Sequence, residues 1–145
     1  MSLTWTAEPA PTWNADKQRI IGDAAPGTFD RRYSQQKDGE SLPGEWWHVE
    51  RDGKTVGFGW FDLVWGDAEI TIASDPEHRG EGVGSFILGE LEKEAQSRGV
   101  NYVYNTVRPT HPDKESVTAW LQKRGFHPSE DGSLLRAFTR AKSEA

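Results

Sequence analysis

The chain has 145 residues, with 17 Lys and Arg against 23 Asp and Glu, a formal charge of -6 and a pI near 5.2. It therefore lacks the long basic stripe that tracks nucleic acid. It has no cysteine, which excludes disulfide scaffolding, thiolate zinc sites and a cysteine nucleophile. The length fits one domain over residues 1–145. With no secretory apolar core at the start and no membrane-length run, a cytoplasmic protein is expected.

Residues 3–6 predict a short strand closed by Pro9 and Pro11. Asn14 or Thr12 then caps a helix over residues 16–24, with Ile20 and Ile21 on its apolar side and Pro26-Gly27 as its stop. Residues 30–44 are polar and contain Gly39, Pro43 and Gly44. They read as partly helical and then as a loop, which would shape an acceptor pocket if it lies over a cleft. Residues 46–50 and 55–64 flank Arg51-Asp52-Gly53-Lys54, a strong hairpin signal. Gly57 and Gly59 share one face of the second strand, where they permit close packing or a local bend. Gly66-Asp67 turns the chain into a third strand over residues 68–74, completing an antiparallel meander. Trp46, Trp47, Trp60 and Trp65 crowd this meander and read first as sheet packing. Trp5 and Trp13 are expected to cover one end of the core.

The period then changes to that of a helix. Over residues 83–98, Val83, Phe86, Ile87, Leu88, Leu91 and Ala95 fill one side, and Gly99 ends the helix. Gly89 inside it costs about 1 kcal/mol against Ala, which a close approach by another element or a ligand would explain. Residues 101–107 predict a buried strand and Pro109 and Pro112 a loop. Residues 114–124 predict a helix with Val117, Trp120 and Leu121 inward and Gly125 as its stop. Phe126 opens an extended segment, residues 134–138 make the last strand, and residues 139–145 are expected to fray. This order gives a mixed α/β, or α+β, fold.

Between the meander and the long helix lies Arg79-Gly80-Glu81-Gly82-Val83-Gly84. Alternating glycines at a helix entrance set a row of backbone N–H groups at the positive end of the helix dipole, which binds phosphate. A mononucleotide P-loop needs a lysine followed by Ser or Thr, but Ser85-Phe86 follow Gly84. The dinucleotide fingerprint has a different glycine spacing and belongs to a βαβ unit. The pattern Arg-x-x-Gly-x-Gly, carried by Arg79, Gly82 and Gly84, resembles the acyl-coenzyme A pyrophosphate site of the GNAT N-acetyltransferase superfamily. Trp120-Leu121-Gln122-Lys123-Arg124-Gly125-Phe126 resembles that family's second helix, which ends in Gly-Phe. The resemblance spans about residues 45–138.

The resemblance implies a central, mostly antiparallel sheet of six or seven strands with flanking helices. It also implies a splayed central pair, residues 69–74 and 102–107, and acetyl-coenzyme A as cosubstrate. N–H groups of Gly80, Gly82, Val83, Gly84 and Ser85 would surround the diphosphate; Arg79 either joins them or pins the loop. Ile72, Ala73 and Ser74 would contact the pantetheine arm. The implied reaction is direct attack by a primary amine of a small molecule, an amino acid derivative or a peptide, with no metal, nucleic acid or membrane involved. Glu69 is the candidate base, directly or through water, or else a strand-end carboxylate beside Asp67. Tyr104 is a candidate on the cleft strand or an ordinary packing residue, and His111 a catalytic or a helix-entry residue.

The family's frequent tyrosine four residues before the Gly of Gly-Phe is Leu121 here, and its frequent asparagine near the helix start is Lys114. Neither side chain supplies the family's acid for the leaving thiolate. Asp62, Asp67, Glu69, Glu40 and Glu45 would attract a cationic amine and Trp46, Trp47 and Trp65 would wall it, or all of these serve structure. His48, His78 and His127 show no metal-ligand spacing, and no Gly-x-Ser-x-Gly elbow is present. A noncatalytic acyl-coenzyme A-binding regulatory module is the alternative function, and the chain reads as a monomer or a homodimer.

Overall fold

The computed structural model describes residues 2–130 and 132–138. The tail from Thr139 lies outside them. Among these residues a single sheet holds seven strands: β1 Leu3–Glu8, β2 Glu45–Arg51, β3 Lys54–Val64, β4 Asp67–Ser74, β5 Tyr102–Asn105, β6 His127–Pro128 and β7 Leu134–Ala137. Their order is β1-β2-β3-β4-β5-β7-β6. Every neighbouring pair is antiparallel except β4 and β5. The meander follows from its turns. Asp52 (φ 54) with Gly53 (φ 78), and Trp65 (φ 52) with Gly66 (φ 85), supply the two positive φ angles of a two-residue hairpin turn.

Helix α2 (Val83–Ser97) crosses one face of the sheet. Its buried Val83, Ile87, Leu88, Leu91 and Ala95 pack with Trp47, Val49, Phe61, Ile70 and Val103. The crossing is close because β3 carries Gly57 and Gly59 there. A Cβ on Gly59 would stand 2.6 Å from Ile87 Cγ2 and one on Gly57 2.9 Å from Ile87 Cδ1. Trp5 lies on this same face, stacked on Trp47 at 5.4 Å. Helix α3 (Lys114–Lys123) adds Leu121 to this core.

Residues between β1 and β2 roof the opposite face. Asn14 is the cap, accepting from Lys17 N–H at 2.9 Å, but the helix it opens differs from the expected run over residues 16–24. One α turn, α1 (Ala15–Lys17), passes into a π turn (Gln18–Gly22). Gln18 explains the change. Its carbonyl accepts from Asp23 N–H at 2.7 Å, while its side-chain amide takes Trp13 Nε1 at 3.0 Å and reaches Asp23 Oδ1 at 2.8 Å. A 3-10 turn (Arg31–Ser34) follows. The roof seals a second core of Trp13, Ile20, Ile21, Tyr33, Leu42, Trp46, Phe58 and Trp60. Lys17 is buried within it, bonded to Glu8 Oε1 at 2.6 Å and to Thr12 O at 2.8 Å.

Strand β5 is shorter than the predicted 101–107. Asn105 Nδ2 donates to Ile70 O at 2.8 Å, so a side chain takes the carbonyl that the next ladder bond would use. Pairing between β4 and β5 is confined to Ala68↔Val103 and Glu69↔Tyr104. Beyond that rung the two strands part, which is the expected splay.

Candidate active site

The loop joining β4 to α2 is built around Asp75. This buried carboxylate accepts from Glu77 N–H at 3.0 Å and opens a 3-10 turn (Pro76–His78). It also meets Arg19 Nη1 from the π turn, while Arg19 Nη2 donates to Thr55 O at 3.0 Å. Burial pushes the Asp75 carboxyl up, but the Glu77 N–H and Arg19 outweigh it and hold the group below its ordinary value. Glu81 steadies the far side of the loop, bonded to His78 Nδ1 at 3.0 Å and Arg51 Nη1 at 2.5 Å. The loop is thus pinned without Arg79. The Arg79 side chain is exposed and makes no hydrogen bond or ion pair with the described residues.

Gly80 (φ 79) and Gly82 (φ 83) hold left-handed conformations that other residues adopt at a cost. Gly82 caps α2 with no side-chain hydrogen bond. The first-turn N–H groups of Val83, Gly84 and Ser85 therefore have no intrahelical acceptor, and they stand at the positive end of a helix that has no acidic residue in its first turn. A Cβ on Gly84 would meet only Trp120, at 3.7 Å. One cation beside this entrance was not read from sequence. Arg124 stacks on Trp120 at 4.1 Å and donates to Ser85 Oγ at 3.0 Å. Its place at the end of α3 carries no local signal that α3 ends beside the start of α2.

Peptide groups alternate direction along a strand. Asp75 N–H reaches Val56 O on β3 at 2.8 Å, whereas the Ile70 carbonyl faces Asn105. By this alternation Ile72 and Ser74 turn their backbone groups into the gap between β4 and β5. Ala73 turns its own toward β3, and its side chain lies in the roofed core.

On the roofed side of the sheet, Asp62, Glu69 and Tyr104 stand in one row across β3, β4 and β5. Burial raises the Glu69 carboxyl above its ordinary range; Asp62 raises it further and Arg32 opposes both. The remaining sequence candidates are placed elsewhere. His111 Nδ1 accepts from Asp113 N–H at 2.9 Å, which bends the chain into α3, and burial lowers its pKa. Glu45 pairs with Arg98 and Glu40 with the Lys37 N–H. Trp46 and Trp47 are buried on opposite faces, and Trp65 is 96% exposed at the hairpin tip. Leu121 is in the core, and Lys114 is exposed at the start of α3.

The roof closes over the splay through the loop after β5. Thr110 Oγ1 donates to Gly27 O at 3.0 Å and Arg108 Nη1 lies 3.6 Å from Asp30 Oδ2. Among the described residues no helix is long and apolar enough to cross a membrane, and no group of three or more His, Asp or Glu side chains is arranged to hold a metal ion.

A model of the Acetyltransferase (GNAT) family matches residues 7–126. No curated protein sequence shows significant similarity. Among solved structures, the ribosomal-protein-S18-alanine N-acetyltransferase of Escherichia coli is 20% identical, covers 99% of both chains and superposes with a TM-score of 0.64. An IAA acetyltransferase of Bacillus cereus is 15% identical over 94% of this chain and 100% of that one, with a TM-score of 0.65. The PaiA N-acetyltransferase of Thermoplasma acidophilum, in complex with coenzyme A, is 18% identical over 64% of this chain, with a TM-score of 0.57. The match spans 60% of that relative's length.

Proposed function

Because this chain belongs to the GNAT acetyltransferase family, we propose that it transfers the acetyl group of acetyl-coenzyme A to a primary amine by direct attack. The observation that carries the reading is the uncapped, acid-free entrance of α2, preceded by Gly80 and Gly82 at positive φ. The N–H groups of Val83, Gly84 and Ser85 hold the diphosphate, with Arg79 and Arg124 as flanking cations. The pantetheine arm runs along β4 and bonds to the backbone of Ile72 and Ser74, which brings the thioester to the splay.

Glu69 lies on the rung where the strands part, so an amine held there is close to the thioester carbon. With its carboxyl raised by burial and by Asp62, Glu69 is a better base than an ordinary exposed carboxylate. It accepts the ammonium proton, directly or through water. The neutral amine then attacks the carbonyl, the nitrogen of the tetrahedral intermediate gives up its extra proton to water, and the intermediate collapses with loss of the coenzyme thiolate. Leu121 is buried where the family pattern has tyrosine, so water protonates the thiolate or the thiolate leaves as such. His111 is engaged in shaping the start of α3, and Tyr104 stands beside Glu69 as a wall of the acceptor site.

The test follows thiol release from acetyl-coenzyme A with a panel of primary amines. Acceptor-dependent release is expected, with kcat/KM reduced about 100-fold or more in Glu69→Gln. Coenzyme binding without release for any amine would overturn the enzyme reading in favour of a binding module, the reading that the buried Leu121 supports.

A further inference from the structure

Resting on the amine-acetyltransferase reading above, we propose that the acceptor is a small amine that also carries a carboxylate. Its amino group sits at the Asp62–Glu69 rung and its carboxylate meets the guanidinium of Arg32.

The roofed side of the sheet is dipolar here. Its floor is acidic, since Asp62 and Glu69 are directly opposed on β3 and β4. Its roof brings cations over the same side of the sheet. Trp60 precedes Asp62 by two residues on β3, and Tyr33 packs edge-on against Trp60 at 5.8 Å. Arg32 Nη2 donates to the Tyr33 hydroxyl at 3.1 Å, and its guanidinium lies 4.9 Å from the ring centre. Asp30 fixes this arrangement by accepting the Arg32 backbone N–H at 2.9 Å. Its other oxygen faces Arg108 at 3.6 Å.

Two donors are left over. The Arg32 side chain forms no ion pair with a described carboxylate, its partner being a neutral hydroxyl. Arg108 Nε is buried and meets no hydrogen-bond partner among the described residues. The field of Arg32 reaches the floor, where it opposes the rise in the Glu69 carboxyl. A purely cationic acceptor would be attracted by the floor and repelled by the roof. A neutral amide in place of the carboxylate would leave the guanidinium facing an uncharged group. An amine bearing a carboxylate satisfies both walls, and charge-assisted hydrogen bonds to a guanidinium are among the strong ones.

Free amino acids and their carboxamides form the matched pairs for the test, each rate corrected for the fraction of neutral amine. β- and γ-amino acids vary the spacing between the two groups. In the unaltered protein kcat/KM is expected to favour acid over amide by about tenfold or more, mainly through KM. In Arg32→Gln this ratio should collapse toward one, and Arg32→Lys should restore part of it. Coenzyme binding by calorimetry checks that each variant is folded. Equal use of acid and amide by the unaltered protein would overturn the carboxylate assignment while leaving acetyl transfer intact. A preference that persists in Arg32→Gln would overturn the Arg32 assignment, and one that persists also in the Arg32→Gln, Arg108→Gln double variant would overturn any role of the roof. Release of no thiol with any amine would remove this proposal together with the function it rests on.

Discussion

Asp62 and Glu69 repel one another across the β3–β4 ladder, and the pH behaviour of the site follows from that contact. Burial and Asp62 raise the Glu69 carboxyl, so Glu69 stays protonated to a higher pH than a solvated glutamate, and the base that the proposal makes of it is idle there. Asp62→Asn removes the like charge. The acid limb of the kcat/KM profile should then move to lower pH. A limb that stays in place would separate Glu69 from the proton transfer. Stability carries the opposite face of the same shift. A carboxyl raised in the folded state contributes most below its unfolded pKa and loses that contribution as pH rises through the folded one, so Asp62→Asn relieves the fold at neutral pH. Asp75 is held below its ordinary value, so its contribution is present at neutral pH and is lost as pH falls through its folded pKa.

At the scale of elements, the approach of α2 to β3 decides how firmly the entrance of α2 is held. Ile87 fills the space above Gly59, where a Cβ would stand 2.6 Å from its Cγ2. Gly59→Ala should therefore cost about 1–3 kcal/mol through overpacking. Gly89 lies in the same helix, and apart from its own neighbours and the helix backbone no described atom comes within 4 Å of the Cβ it lacks. Of the two explanations the sequence offers, a close approach by another described element is therefore not present there, and Gly89→Ala should gain about 1 kcal/mol from helix propensity alone. Urea unfolding of the two variants distinguishes one glycine that is needed from one that is not. A neutral Gly59→Ala would contradict the packing described here. The hairpin turns, the α2 stripe and the Gly-rich loop were legible because each depends on neighbours in sequence: Asp52-Gly53 closes a ladder by itself, and the α2 pattern repeats every helical turn. The π turn was not, because it depends on the Gln18 amide bridging Trp13 and Asp23. The early end of β5 depends on Asn105 reaching a carbonyl 35 residues away.

At the scale of the whole molecule, the site is a junction of distant segments. The roof residue Arg19 holds Asp75 at the base of the loop that leads into α2, Thr110 ties the loop after β5 to Gly27, and Arg124 brings the end of α3 to the start of α2. Family-level chemistry was readable from the contiguous motif at Arg79–Gly84 and from Gly125-Phe126. The cations on the roof and beside the helix entrance were not, since only the tertiary fold carries Arg32, Arg108 and Arg124 to their places. The proposed function needs the entrance of α2 to receive a diphosphate, and one substitution isolates that role. A carboxylate in the first turn of α2 favours the helix dipole, and a Cβ at position 84 meets only ordinary contact with Trp120. Gly84→Glu should therefore fold normally while repelling the coenzyme. Titration calorimetry with coenzyme A should show one site on the unaltered protein and affinity at least about 100-fold weaker, roughly 2.7 kcal/mol, on the folded variant. No association with the unaltered protein, or equal affinity for both, would contradict the assignment of this entrance to the coenzyme.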